Sequence, residues 1–357
     1  MNLTTKPRYA AVVIVALLII TLGITWGVRE AWITPRVHVQ SETPLRLVFY
    51  YPWFPNHWQE NGVYPLSHYH ATLGYYDSSD PVVIRKHIEA MEYARMDAAV
   101  ASWWGRDNRY GTDVALREIL KESRGTGFRW AVYYELEGPV DNMPRNPSRN
   151  EIVSDLDYLY ANFANDPNYL RIDGRWVLFV YSDENDGCGM VSRWTEAKAT
   201  HPEVYIVLRV FRGYADCASQ PDAWHQYSVN PTYGFDSQPS YSYTISPGFW
   251  SAIEDHPKLE RNLTRWKENI RDMISSGATF QLVSTFNEWG EGTSVESASE
   301  WATPSGFGAY LDVLHSNGGV SEHELANLDT GTGFALVALG VGAVVATYSE
   351  TQGNSHG

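Results

Sequence analysis

Two glutamates three residues apart give the first chemical signal in this sequence. Glu288 and Glu291 lie in residues 280–293, a segment that begins apolar and β-branched and ends in an amide, two carboxylates, an indole and two glycines. A buried strand with such an ending is typical of (β/α) barrels, which present catalytic groups at the C-terminal ends of their strands. Close carboxylates can acquire the different proton affinities that general acid and base catalysis requires. The alternative is a surface turn with solvated glutamates.

Strand-like and helix-like segments alternate ahead of this pair. Apolar runs predict strands at residues 45–53, 97–104, 128–135, 176–181, 205–211, 233–235 and 280–286. Amphipathic runs predict helices at residues 81–95, 112–123, 150–164, 191–199 and 256–275. This alternation implies a parallel sheet, with an eighth strand expected among the aromatic residues before Trp250. No glycine-rich phosphate loop follows the first strand, so a closed (β/α)₈ barrel is favoured over a doubly wound sheet.

Candidate site residues recur where these predicted strands end. They are Tyr51 after the first strand, Trp104 after the second, Glu135 after the third, and Asn287, Glu288, Trp289 and Glu291 after the last. Because parallel strands in a barrel end on one face, we expect these groups to converge there. The convergence favours a site over a solvated turn.

Composition narrows the ligand class. A net charge of −15 argues against nucleic acid, which needs a basic face. The sequence holds 14 Trp and 23 Tyr, and clusters of aromatic and polar residues suit carbohydrate. The 11 histidines show no metal-binding spacing, so we expect neither a metal nor another cofactor. Cys188 and Cys217 could form one disulfide, which spacing alone cannot decide.

Both ends of the chain carry apolar runs. Residues 10–28 are uncharged and follow Lys6 and Arg8, which predicts an uncleaved signal anchor rather than a cleaved secretory peptide. We therefore expect residues 1–36 to form a cytoplasmic stub and a transmembrane helix that contacts lipid, with the following domain outside the cytoplasm. Residues 316–357 are expected to form a linker and a hydrophobic tail. Its uncharged run at 331–348 is a second membrane segment, a processing signal or a buried helix.

Five segments occur in the order found in glycoside hydrolase family 99, the endo-α-1,2-mannosidase and endo-mannanase family. They are residues 50–53 (YYPW), 73–81 (LGYYDSSDP), 101–104 (ASWW), 134–135 (YE) and 284–293 (STFNEWGEGT). The resemblance covers about residues 45–314, and it implies a (β/α)₈ catalytic domain over 45–315 that acts without a metal and retains configuration. Members often carry His where this chain has Gly290, a departure that concerns contacts to the leaving-group sugar.

The resemblance also implies residue roles. Glu291 resembles the general acid, and Glu288 resembles the base that deprotonates the sugar's own 2-hydroxyl to give a 1,2-anhydro sugar. Tyr51, Glu135 and Asn287 resemble substrate-positioning groups, while Trp104 and Trp289 offer rings to a sugar. The implied activity is internal cleavage of an α-linked, mannose-type oligo- or polysaccharide. The alternatives are a non-catalytic glycan-binding barrel and a trimming enzyme or transglycosylase of surface-polysaccharide assembly.

Overall fold

The structure is a computed structural model that describes residues 43–140, 143–182, 186–227 and 241–320. The apolar runs at 10–28 and 331–348 and the predicted strand at 233–235 lie outside these residues. Across the described ranges, no helix is both long enough and apolar enough to cross a membrane.

Eleven strands are present in the described part of the chain. They are β1 (Leu45–Tyr50), β2 (Ala98–Trp103), β3 (Arg129–Tyr134), β4 (Gly138–Val140), β5 (Met143–Arg145), β6 (Arg171–Ile172), β7 (Arg175–Val180), β8 (Val204–Arg209), β9 (Ala223–His225), β10 (Ser242–Ile245) and β11 (Phe280–Val283). Eight of them form a parallel sheet in the order β10–β11–β1–β2–β3–β7–β8–β9, while β6 pairs antiparallel with β7 and β4 with β5.

Side chains join the two ends of this sheet. The main-chain N–H of Gln226, just after β9, donates to Oγ of Ser242 on β10 at 2.8 Å. Thr244 Oγ1 donates back to the Gln226 carbonyl at 2.7 Å. The sheet is therefore a nearly closed eight-stranded barrel, as expected for a (β/α)₈ fold.

Six helices pack around the barrel in the described residues. They are α1 (Pro81–Tyr93), α2 (Thr112–Glu122), α3 (Arg149–Leu159), α4 (Cys188–Lys198), α5 (Leu263–Ser275) and α6 (Ala309–His315). Local sequence sets several of their starts. Asp80 accepts a hydrogen bond from Val82 N at 2.7 Å, and Ser148 forms a capping box with Glu151.

Six of the seven predicted strands are present. The eighth, expected before Trp250, is β10, whereas β9 was not predicted because three residues show no periodicity. The helix predicted from residue 256 begins only at Leu263. Upstream of it, Leu259 pairs with Phe249 in an antiparallel bridge, and Asn262 then caps the helix by accepting from Arg265 N at 2.9 Å.

Two contacts tie down peripheral segments. Cys188 and Cys217 form a disulfide with their Cα atoms 5.4 Å apart, linking the start of α4 to the turn after β8. Beyond α6, Arg46 Nη1 donates to the buried Asn317 at 2.8 Å. The ordered packing of the barrel therefore continues past residue 315.

Candidate active site

A cavity of about 330 Å³ opens at the C-terminal ends of the strands. It is lined by Tyr51, Trp53, His57, Glu60, Asn61, Leu66, Trp104, Glu135, Tyr181, Tyr227, Ser251, Ile253, Glu288, Gly290 and Glu291. Of the predicted site residues, five therefore meet as expected: Tyr51, Trp104, Glu135, Glu288 and Glu291. Each follows a barrel strand directly or by way of a short turn, which explains the convergence.

The loop after β11 folds back on itself to present Glu288. The Glu288 N–H donates to Thr285 Oγ1 at 2.9 Å, and Thr285 Oγ1 also lies 2.9 Å from Thr293 Oγ1. Two further main-chain bonds, from Val295 N to Thr285 O at 3.0 Å and from Glu296 N to Phe286 O at 2.9 Å, close the loop. Glu288 is thus held by a short, internally hydrogen-bonded turn.

The segment 250–252 forms hydrogen bonds with the other end of this loop. Trp250 N–H donates to the Glu291 carbonyl at 2.9 Å, and Ala252 N–H donates to the Gly290 carbonyl at 2.8 Å. From the opposite side, the half-buried Arg261 donates to the carbonyls of Gly292 at 2.9 Å and Ser294 at 2.6 Å. The loop backbone is therefore fixed on both sides of Glu291.

Burial governs the charge state of the glutamate pair. It raises the pKa of Glu288 well above its ordinary value, and the charges of Glu291, Glu135 and Glu60 add to this effect. Burial also raises the pKa of Glu291 to about 7, against an opposing pull from Lys258. Because neighbouring carboxylates resist being charged together, the pair titrates as a unit and keeps a proton near neutral pH.

Glu135 is a third buried carboxyl in the cavity. Burial raises its pKa to about 8; the hydrogen bond from Ser102 Oγ at 2.9 Å opposes the shift, and the charge of Glu291 adds to it. At neutral pH the Glu135 carboxyl is therefore protonated and offers a ligand a donor as well as an acceptor.

Tyr227 is a site residue that the sequence did not reveal. Its hydroxyl lies 2.7 Å from the hydroxyl of Tyr51, and both rings line the cavity. Burial raises the pKa of both phenols well above the ordinary value. The charges of Glu291 and Glu288 add to the shift of Tyr227, and those of Glu135 and Glu288 add to the shift of Tyr51. Tyr227 follows the three-residue strand β9, which has no recognisable pattern.

Aromatic rings form one wall of the cavity. Trp104 is half-buried, and its indole N–H donates to Ser102 Oγ at 3.0 Å, which fixes the ring plane. The ring of Trp53 lies beside it with centroids 6.5 Å apart, and the imidazole of His57 packs on Trp53 at 4.0 Å. Burial lowers the pKa of His57 to about 4, with help from Arg109, so this ring is neutral at neutral pH. Such a wall suits the C–H face of a sugar ring.

Gly290 leaves a gap between His57 and Glu288. A Cβ atom at this position would lie 3.2 Å from Leu66 Cδ2, 3.3 Å from Glu288 Oε1 and 3.5 Å from His57 Nε2. The absent side chain therefore lets the imidazole of His57 approach the loop after β11, which carries Glu288 and Glu291.

Asn287 and Trp289 are fully buried and do not line the cavity. The amide of Asn287 accepts from Tyr51 N at 2.8 Å and donates to Tyr51 O at 3.1 Å. Trp289 packs against Trp301 in a stacked arrangement with centroids 6.2 Å apart. The turn that presents Glu288 to the cavity thus directs these two side chains into the protein interior, where they support the site from behind.

An eight-stranded (β/α) barrel with an aromatic wall and paired carboxyls at the strand ends has the architecture of a barrel glycosidase. Comparison with known proteins agrees. The model of Glycosyl hydrolase family 99 matches residues 63–214, a region that ends before Glu288 and Glu291. Rat glycoprotein endo-alpha-1,2-mannosidase is 21% identical over 287 residues, 65% of this chain and 57% of the rat protein. The chain thus spans little more than half the length of that curated relative.

Solved structures share the fold. The family 99 endo-alpha-mannosidase from Bacteroides thetaiotaomicron, in complex with Bis-Tris-propane, has a TM-score of 0.63 at 18% identity, covering 80% of this chain and 98% of that one. A glycoside hydrolase-like protein has a TM-score of 0.57 at 16% identity, covering 78% and 94%. The resemblance of the sequence motifs to glycosyl hydrolase family 99 is confirmed by the match to the family model and by the similarity to these relatives. These similarities support the expected enzyme class, a glycosidase.

Proposed function

We propose that the chain is a membrane-anchored, retaining, endo-acting α-mannosidase that cleaves internal α-linked bonds of mannose-type glycans. The observation that carries this proposal is the pair Glu288 and Glu291 at the wall of a cavity that also holds Glu135, Tyr51 and Trp104. The similarity to the rat and bacterial endo-mannosidases supports the substrate class.

In the first step the sugar supplies its own nucleophile. Glu288 removes the proton of the 2-hydroxyl, and O2 attacks the anomeric carbon to form a 1,2-anhydro sugar. Glu291 donates its proton to the departing glycosidic oxygen. These roles require the proton that the pair keeps near neutral pH to lie on Glu291 and the negative charge to lie on Glu288. Burial raises the pKa of both carboxyls, and a carboxyl with a pKa of about 7 can donate near neutrality.

In the second step water opens the anhydro ring. Glu291, now ionised, takes a proton from the water that attacks the anomeric carbon, and Glu288 returns its proton to O2. Each step inverts the anomeric centre, so the product retains the starting configuration. Tyr51, Tyr227 and the protonated Glu135 supply hydrogen bonds that orient the sugar, and Trp104 stacks on its apolar face.

The test is a screen of defined α-mannosides with product stereochemistry followed by NMR. Internal cleavage of an α-mannoside with an initial α-product is the expected result. An initial β-product, or activity confined to β-glycosides, would refute the assignment. A longer glycan formed from donor and acceptor would indicate the transglycosylase, which uses the same residues.

The membrane anchor is proposed from the sequence. The uncharged run at 10–28 is long enough to span a bilayer, and the preceding Lys6 and Arg8 favour a cytoplasmic N-terminus. The disulfide between Cys188 and Cys217 supports an oxidising compartment outside the cytoplasm. The full-length chain should stay in the membrane after alkaline carbonate extraction, and protease added to intact cells should cut the barrel. Release by carbonate would overturn the anchor.

A further inference from the structure

A carboxyl group outside the cavity occupies the centre of a buried network directly behind the catalytic loop. Oε2 of Glu296 accepts from the Tyr76 hydroxyl at 2.7 Å and from the Trp289 indole N–H at 3.2 Å. Its Oε1 lies 3.1 Å from His87 Nε2, and His87 Nδ1 lies 2.9 Å from the Tyr50 hydroxyl. With hydrogen on Nε2, His87 donates to Glu296 and accepts from Tyr50. Only 3% of Glu296 is exposed, so solvent cannot substitute for these partners.

This network holds both neighbours of Glu288 in the chain. Trp289 is bound to Glu296 directly, and its N–H also lies 3.2 Å from the Tyr76 hydroxyl. Asn287 donates to the same Tyr76 hydroxyl at 3.3 Å, and its side-chain amide also forms two hydrogen bonds with the main chain of Tyr51. The side chains on either side of Glu288 are therefore bound to the carboxyl group of Glu296, directly or through Tyr76, while Glu288 itself faces the cavity.

We propose that Glu296 is a positioning residue for the reaction. Its carboxyl fixes Trp289 directly, and Asn287 by way of Tyr76, and thereby sets where the Glu288 carboxylate and the Tyr51 ring stand in the cavity. This inference rests on the proposed glycosidase function. A displacement of about 1 Å at reacting groups can cost on the order of 10²-fold in rate, so loss of this support should act on turnover.

The test compares Glu296→Ala, Glu296→Gln and Tyr76→Phe with the wild type on the best α-mannoside found. Glu296→Ala should lower kcat by roughly 10²-fold, with KM changed far less, because the interaction sets geometry rather than binds substrate. Glu296→Gln keeps a carbonyl oxygen that can accept from Trp289 and Tyr76. Its NH₂ group can donate to Nε2 of His87 when the hydrogen of that ring lies on Nδ1. This variant should therefore recover much of the kcat that Glu296→Ala loses. Tyr76→Phe combined with Glu296→Gln should be non-additive, since both remove parts of one network.

Glu137→Gln is the matched control. Glu137 is also a buried glutamate that accepts a hydrogen bond from an indole N–H, that of Trp194 at 2.7 Å, and it does not line the cavity. The Glu296 and Glu137 variants should all have a lower melting temperature than the wild type. Glu137→Gln should keep the wild-type kcat, whereas Glu296→Ala should lose kcat strongly and Glu296→Gln much less. A folded Glu296→Ala with wild-type kcat, or additive effects with Tyr76→Phe, would overturn the inference. If Glu296→Ala does not fold, the inference is tested by the kcat values of Glu296→Gln, Tyr76→Phe and their double variant. A wild type that cleaves no α-mannoside would instead overturn the proposed function.

Discussion

The hydroxyl oxygens of Tyr51 and Tyr227 lie 2.7 Å apart, and they bring together the loops after β1 and β9. Both phenols stay protonated because burial raises their pKa well above the ordinary value. The two hydroxyls carry two hydrogens, and the bond between them uses one. The second hydrogen is therefore left to donate into the cavity, next to the glutamate pair.

Removing the Tyr227 hydroxyl should weaken transition-state binding. A hydrogen bond to a charged or developing charge is commonly worth about 1.5–3 kcal/mol, so Tyr227→Phe should lower kcat/KM roughly 10- to 100-fold. Tyr51→Phe should cost a similar factor, and the double variant should lose less than the product of the two. The measurement is steady-state kinetics on an α-mannoside. Tyr93→Phe is the control, because its hydroxyl bonds Asp312 on the outer surface at 3.0 Å.

Chemical rescue should distinguish the role of Glu288 from that of Glu291. Glu288→Gln and Glu291→Gln each remove one proton-transfer group and should each lower kcat by about 10²–10⁴-fold. A substrate with a good leaving group needs no acid, so it should restore much of the rate to Glu291→Gln and little to Glu288→Gln. Equal rescue of both variants would contradict the assigned roles.

A 2-deoxy substrate tests the proposed intermediate. It lacks the hydroxyl that Glu288 would deprotonate, so it should bind without being cleaved. Rapid turnover, or a glycosyl group trapped covalently on Glu288, would restore the ordinary scheme in which the carboxylate is the nucleophile.

The stability of the fold should depend on pH through buried carboxyls. Burial raises the pKa of Glu135 to about 8 and those of Glu137 and Glu291 to about 7, all above the ordinary value of 4.5. The folded chain therefore binds more protons than the unfolded chain in this range, and the free energy of unfolding should fall as pH rises from about 4.5 to about 8. At about 1.4 kcal/mol per pKa unit, the total fall is a few kcal/mol or more.

Glu135→Gln isolates one part of this dependence. The neutral amide cannot ionise, so the variant should lose less stability than the wild type between pH 5 and pH 8.5, as measured by urea unfolding. Glu92→Gln, an exposed change on α1, should leave the slope unaltered. A slope unchanged by Glu135→Gln would mean that Glu135 ionises in the fold at its ordinary pKa.

Strand ends were the part of the site that sequence could predict. Tyr51, Trp104 and Glu135 follow strands whose apolar runs are evident, so the barrel rule places them at one face. The turn after β11 separates Glu288, which lines the cavity, from Asn287 and Trp289, which lie buried behind it, although the sequence analysis treated all three as one cluster. The course of the backbone through this turn, rather than proximity in sequence, decides which side chain reaches the cavity.

Other parts of the site depend on contacts that no local pattern encodes. Trp250 and Ala252 belong to an irregular segment, which is held at the cavity by their main-chain bonds to Glu291 and Gly290 and by His68, whose ring stacks on Trp250. Glu296 resembles a solvated loop glutamate in sequence, yet it lies buried among partners that are over 200 residues away, such as His87. These features arise from tertiary packing, which periodicity and motif spacing do not report.

The conformation of Gly292 should be indispensable to the site. Its φ is +64°, a region that L side chains rarely adopt, and a Cβ there would lie 2.6 Å from the Trp250 carbonyl oxygen. Gly292→Ala must therefore break the main-chain bond between Trp250 and Glu291 or strain the turn, at a cost of about 1–3 kcal/mol. Because the displaced residue is next to Glu291, kcat should fall together with the melting temperature.

Gly306→Ala is the matched control for this change. Gly306 also has a positive φ, +83°, but a Cβ there meets no atom within 4 Å. It should therefore share the backbone strain without moving the catalytic loop, so the melting temperature should drop while kcat stays near wild type. Steady-state kinetics and thermal unfolding of the two variants give the comparison. Equal kcat in Gly292→Ala and Gly306→Ala would show that the contact with Trp250 does not hold Glu291 in place.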